Sequence, residues 1–171
     1  MHPMYDPAST IKAICISVVS LLLASCRCLA PSALDAASAN EIEHDVRQMA
    51  ASIARDVAAD GPTAWNRYFA DDREFFMANN GALQFSNLED AKVFLNKFSA
   101  GVAHLELTWA EIRVDPLASG LAVMASPYRE VLTDKGGHKS QYDGYFTGVA
   151  VKTRTGWKLR DAHWSSPITT P

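Results

Sequence analysis

Apolar residues recur along this chain at two periods, and the change from one to the other divides it. Over residues 41–59 the spacing is helical, with Ile42, Val46, Met49, Ile53 and Val57 three or four positions apart. Asn40 is a good N-cap, Glu41 and Glu43 suit the positive end of a helix dipole, and Asp60-Gly61-Pro62 stops the run. A short second helix is expected over 63–69, with Trp65, Tyr68 and Phe69 on one side and Ala70-Asp71-Asp72 at its end. Residues 74–78 and 82–85 read as the arms of a hairpin turned by Asn79-Asn80-Gly81. A third helix follows, capped by Ser86 or Asn87, with Ala91, Phe94, Leu95 and Phe98 as its buried stripe and Gly101 as its stop.

From residue 104 onward the period is two. Residues 104–115 predict a strand whose apolar set changes parity between Trp109 and Ile112, the signature of a β-bulge near Ala110. Residues 121–133 predict the next strand, and Pro127 inside it requires an edge or a bulge. Asp134-Lys135-Gly136-Gly137 turns the chain into a closing hairpin over 141–166, whose own turn is Arg154-Thr155-Gly156. Strict alternation in its second arm puts Trp157, Leu159, Asp161, His163 and Ser165 on one face. Lys158, Arg160, Ala162 and Trp164 then fall on the other.

Helices followed by four long strands argue an α+β domain over 41–167, with no internal repeat. The 171 residues suit one such domain, and a formal net charge of −3 offers no electrostatic case for nucleic acid. The first residues are of another kind. Residues 13–25 form an apolar run behind Lys12, the length of a signal-peptide core and too short to span a bilayer as a helix. The run ends Leu23-Ala24-Ser25-Cys26, which looks like a bacterial lipobox with Cys26 as the lipidated residue; ordinary cleavage nearby is the alternative. The expected division is therefore a signal peptide over 1–25, a flexible tether over 26–40, and the domain. The protein is expected to be exported, as a periplasmic membrane-anchored lipoprotein or a secreted protein, touching the membrane only through its N-terminal lipid. All three cysteines, Cys15, Cys26 and Cys28, precede the domain, which leaves it no disulfide and no thiol nucleophile.

The element order resembles that of SnoaL-like domains in the nuclear transport factor 2-like superfamily. So do Trp65-Asn66-Arg67-Tyr68 followed by Ala70-Asp71-Asp72, and the closing Gly156-Trp157-Lys158-Leu159 and His163-Trp164-Ser165-Ser166-Pro167. The resemblance covers residues 41–167 and implies a cone of three N-terminal helices packed on a curved antiparallel sheet. Such domains serve as polyketide cyclases, ketosteroid isomerases, dehydratases, ligand-binding proteins and assembly modules, so the fold does not select a function.

In catalytic relatives an acid or imidazole inside the cone acts as base, and a Tyr or Asp stabilises an enolate oxygen. Carried onto this chain, the resemblance makes His163, Asp72 and Asp161 the candidate catalytic groups. Tyr68, Trp109, Tyr128 and Tyr145 become candidates for lining the ligand. Each has a plain structural alternative: a helix-end turn for Asp71 and Asp72, a buried imidazole bonded to backbone or to Asp161 for His163, and amphipathic strand positions for the tyrosines. His44, His104, His138 and His163 lie on separate elements without ligand spacing, and no Gly-rich loop joins a strand to a helix, so no metal and no cofactor is expected. The expected partner is a small apolar or aromatic molecule, handled by isomerase- or cyclase-type proton transfer; a non-catalytic dimerisation or binding module at the cell envelope is the alternative. A homodimer is expected, through a sheet face carrying Trp164, Ala162 and Ala150.

Overall fold

The computed structural model describes residues 34–71 and 75–167. The expected signal segment, Cys26 and Asp72 lie outside the described residues. Helix α1 spans Ala36–Asp60 and buries the predicted stripe Ile42, Val46, Met49, Ile53 and Val57. It begins earlier than Asn40, because Asp35 caps it by accepting the Ser38 amide at 2.8 Å. The last residues of the expected tether are thus helical. Gly61, at φ 75°, ends α1, and Pro62 opens a 3₁₀ helix over Pro62–Arg67 in place of the expected second α-helix.

Strands β1 (Phe76–Asn79) and β2 (Ala82–Phe85) form the predicted hairpin. Asn80 and Gly81 both have positive φ at its turn, as a type I′ connection demands. Helix α2 spans Leu88–Ser99, with Asn87 accepting the Asp90 amide as its N-cap. It buries Ala91 and Leu95, whereas Phe94 stays 40% exposed. Five further strands follow: β3 (Val102–Trp109), β4 (Arg113–Ala118), β5 (Leu121–Asp134), β6 (Lys139–Thr153) and β7 (Gly156–Ser165).

The sheet has seven strands in the order β2-β1-β7-β6-β5-β3, with β4 also pairing β5. It is curved and unclosed, and it is mixed rather than wholly antiparallel, because β1 runs parallel to β7. The single long strand expected over 104–115 is broken after Trp109, and its two pieces lie end to end along β5. Pro127 sits opposite the break. Its carbonyl accepts the Ala110 amide at 3.0 Å, and the amide it lacks would have faced the same interrupted edge.

The decisive irregularity is in the last strand pair. Val149 pairs with Asp161 and Ala150 pairs with Leu159, which makes Arg160 an extra residue on β7. The bulge reverses the parity expected from strict alternation. Trp157 and Leu159 are buried, and beyond the bulge so is Ala162, while His163 lies exposed opposite Thr147. Trp164, expected on the outer face of the sheet at a dimer interface, packs instead into the aromatic core beside Phe146. Ala162 and Ala150 are buried with it, so the apolar patch proposed for pairing two chains faces inward.

Candidate functional site

The inner face of the sheet carries two burdens. Helix α1 covers one part and seals it. Asp45 on α1 accepts from Trp157 Nε1 at 3.1 Å and from Lys152 Nζ at 2.6 Å, and Trp109 Nε1 donates to the Ala50 carbonyl at 2.9 Å. The other part lies under the 3₁₀ helix, α2 and the β1–β2 hairpin, and it is not filled. A cavity of about 330 Å³ remains there, near the lower end of small-molecule pockets at roughly 300–1,000 Å³.

Its floor is Leu105 of β3 and the inward row of β5, Tyr128, Glu130 and Leu132. Trp65 and Phe69 wall it on one side, and Phe94, Leu95 and Phe98 of α2 on another. Met77, Asn79, Gln84 and Phe85 come from the hairpin, and Tyr142 and Ser166 close the ends. Trp164 stands at the junction with the core. Its ring meets Trp65 edge-on at 5.6 Å, Tyr128 edge-on at 4.6 Å, Phe146 at 4.8 Å, and stacks on Trp109 at 5.8 Å. Tyr128 is fixed further by its hydroxyl, 3.1 Å from Ser166 Oγ, and Ser166 in turn donates its amide to Asn80 Oδ1 at 2.7 Å.

Glu130 is the acid of this cavity. It follows Tyr128 by two residues on the same face of β5 and pairs across the ladder with Tyr142 of β6. Its carboxyl has no hydrogen-bond or ionic partner among the described residues, and burial pushes its pKa above the usual carboxylate range. A carboxyl so placed keeps its proton to higher pH than an exposed glutamate does and, once ionised, is the stronger base. The signal was present in the sequence: Ala122, Met124, Ser126, Tyr128, Glu130 and Leu132 alternate along one strand, and an acid interrupts that inward row.

The residues singled out from sequence do not converge as expected. Tyr128 lines the cavity. Tyr68 does not: its hydroxyl donates to Asp56 on α1 at 2.6 Å, and burial, with that bond, pushes its pKa up to about 12. Trp109 lies one ring behind the cavity, against Trp164. Tyr145 is exposed on the opposite side of the sheet, in a shallow depression with Arg47, Arg113 and Pro127. His163 is exposed, and Asp161 is half-buried near Arg160, 3.9 Å away; the bulge turns both from the cavity. Among the described residues no cluster of His, Cys, Asp or Glu has the make-up of a metal site.

The sequence profile of the SnoaL-like domain matches residues 46–169. The chain belongs to the SnoaL-like family. Solved structures of nuclear transport factor 2-like proteins share its fold. A candidate scytalone dehydratase from Novosphingobium aromaticivorans superposes with a TM-score of 0.67 at 12% identity, over 75% of this chain and 87% of that one. A nuclear transport factor 2-like superfamily protein from Salmonella enterica gives 0.59 at 19% identity, over 79% and 94%. A type 2 hexachlorocyclohexane dehydrochlorinase gives 0.61 at 10% identity, over 77% and 88%. At such identities the likeness is one of fold. No functionally curated protein matches the sequence at a significant level. The SnoaL-like family includes isomerases, dehydratases and cyclases.

Proposed function

We propose that this SnoaL-like domain binds a small apolar or aromatic molecule in the cavity beneath α2 and moves a proton on it, with Glu130 as the proton carrier. The observation that carries this reading is a half-buried, unpartnered carboxyl in a cavity otherwise lined mainly by aromatic and aliphatic side chains. Tyr128 supplies the second role. Residues two apart on a strand are roughly 7 Å apart, a span that fits a carbonyl compound with its acidic C–H at Glu130 and its oxygen at the Tyr128 hydroxyl. A donor held there by Ser166 is oriented before the negative charge develops on that oxygen. Loss of water and loss of hydrogen chloride, the reactions in the names of the dehydratase and the dehydrochlorinase of the same fold, each remove a proton overall.

The test uses aromatic ketones. Binding is followed by quenching of tryptophan fluorescence, since Trp65 and Trp164 border the cavity. Exchange of the ketone α-protons into deuterated water is followed by NMR. The protein should accelerate exchange, and Glu130→Gln should slow it by about 10²-fold or more. A panel that neither quenches nor exchanges sinks the reading. Saturable binding without exchange would leave ligand binding and remove proton transfer.

A further inference from the structure

We propose that Glu130 sets the charge class of what the cavity admits: an uncharged ligand enters as it is, whereas a ligand bearing a carboxylate enters only together with a proton. This rests on the cavity being a ligand site, as argued above, and adds a rule of selection to it.

The argument begins with what surrounds Glu130. On its own strand the nearest cavity-lining titratable group is Tyr128; from β6 it is Tyr142, directly across the ladder. The hairpin contributes Asn79, Asn80 and Gln84, which carry no charge. The 3₁₀ helix, α2 and β3 contribute apolar side chains only. Among the described residues that line the cavity, none is Lys, Arg or His. The charged residues of α2, such as Lys92 and Lys97, are not part of the lining.

A second carboxylate brought into this space would meet a first one with no fixed cation among the described lining residues to offset either. Two like charges at short range in a partly dry site do not both stay ionised; the pair retains one proton. The proton comes from solvent, and either Glu130 or the ligand holds it. Burial already shifts Glu130 toward its protonated form, which is the same preference expressed before any ligand arrives. An uncharged ligand of the same shape brings no second charge to Glu130, so its entry requires no proton.

The consequence is a linkage between pH and affinity that depends on the ligand's charge. The probes are a matched pair, 2-acetylnaphthalene and 2-naphthoate, titrated calorimetrically into the full chain from about pH 5 to about pH 8 in two buffers of different ionisation enthalpy. Naphthoate affinity should fall about tenfold per pH unit above the Glu130 pKa, with one proton taken up per molecule bound. The ketone should change by less than about threefold over the same range. Glu130→Gln, confirmed folded by its melting curve, should flatten the naphthoate slope and narrow the ketone-to-naphthoate affinity ratio at high pH by about tenfold or more. The wild-type series stands on its own should the variant misfold. Ketone binding together with pH-independent naphthoate binding overturns the charge selection alone. A naphthoate slope that persists in folded Glu130→Gln also overturns it, since another group would then carry the proton. Failure of both probes to bind overturns the ligand-site reading and this rule with it.

Discussion

The ring of Tyr128 occupies the space that a side chain at position 144 would fill. Tyr128 and Gly144 face each other across the β5–β6 ladder, and a Cβ built on Gly144 would sit 2.7 Å from Tyr128 Cε1 and Oη. It would also strike the backbone carbonyl of Ser165, which has no rotamer with which to yield. Glycine is used here for its missing side chain, because no positive φ is recorded at this position.

Gly144→Ala therefore forces apart β7 and the Tyr128 ring. Overpacking against backbone costs about 1–3 kcal/mol. The midpoint of chemical denaturation should fall with an unchanged slope, and Tyr128 should lose its bond to Ser166. A variant as stable as wild type would show that β7 does not approach as closely as described.

The bulge at Arg160 makes adjacent residues opposite in consequence. Trp164→Ala removes a ring packed against Trp65, Trp109, Tyr128 and Phe146, and should cost about 3 kcal/mol or more. His163→Ala removes an exposed imidazole and should stay within about 0.5 kcal/mol. Melting temperatures of the two variants decide it. The reverse ranking would restore the parity expected from unbroken alternation.

Glu130 should make the fold less stable as pH rises above the ordinary glutamate range. Its folded pKa is raised by burial, so between the ordinary glutamate value and that raised value the folded protein binds more protons than the unfolded chain. Its favourable contribution is fully present below the unfolded pKa and is lost as pH rises through the folded one. Glu130→Gln should match wild type in acid and exceed it in melting temperature at about pH 8, a difference read from thermal melts at both pH values. Equal melting temperatures throughout would place the carboxyl in water.

Asp45 works in the opposite direction. The Lys152 hydrogen bond, then that of Trp157, holds its carboxyl below the usual range. Its contribution is present above the unfolded pKa and is lost as pH falls through the lower folded value. Asp45→Ala leaves the indole N–H of buried Trp157 without its acceptor, at a cost of about 1–3 kcal/mol. Because that variant has already lost the titrating group, its stability should also depend less on pH in acid, which acid titration of both proteins measures.

The elements governed by local rules were legible in the sequence. The stripe from Ile42 to Val57, the turn at Asn80-Gly81 and the turn ending at Gly156 needed only spacing and backbone preference. The start of α1 was missed because Asp35 stands in a run of small residues that carry no periodicity. The part of the site expected on β7 was misplaced for one reason. A single extra residue, Arg160, shifts the register, and nothing in Trp157-Lys158-Leu159-Arg160-Asp161 marks it. That shift removed His163 from the interior and put Trp164 there. Glu130 was readable by the same alternation that turns Tyr128 inward along β5.

The parallel pairing of β1 with β7 also dictates the order of events when the chain is made. Phe76 and Met77 find their partners in Asp161 and Ala162, almost a whole domain later in the chain. The hairpin wall and Trp164 therefore cannot take up their places until the closing segment has left the ribosome, and the entropy of that long closure is met only then. Until that moment the aromatic rings destined for the interior stand open to water and to other chains, which makes β7 the segment whose truncation should convert a folding chain into an aggregating one.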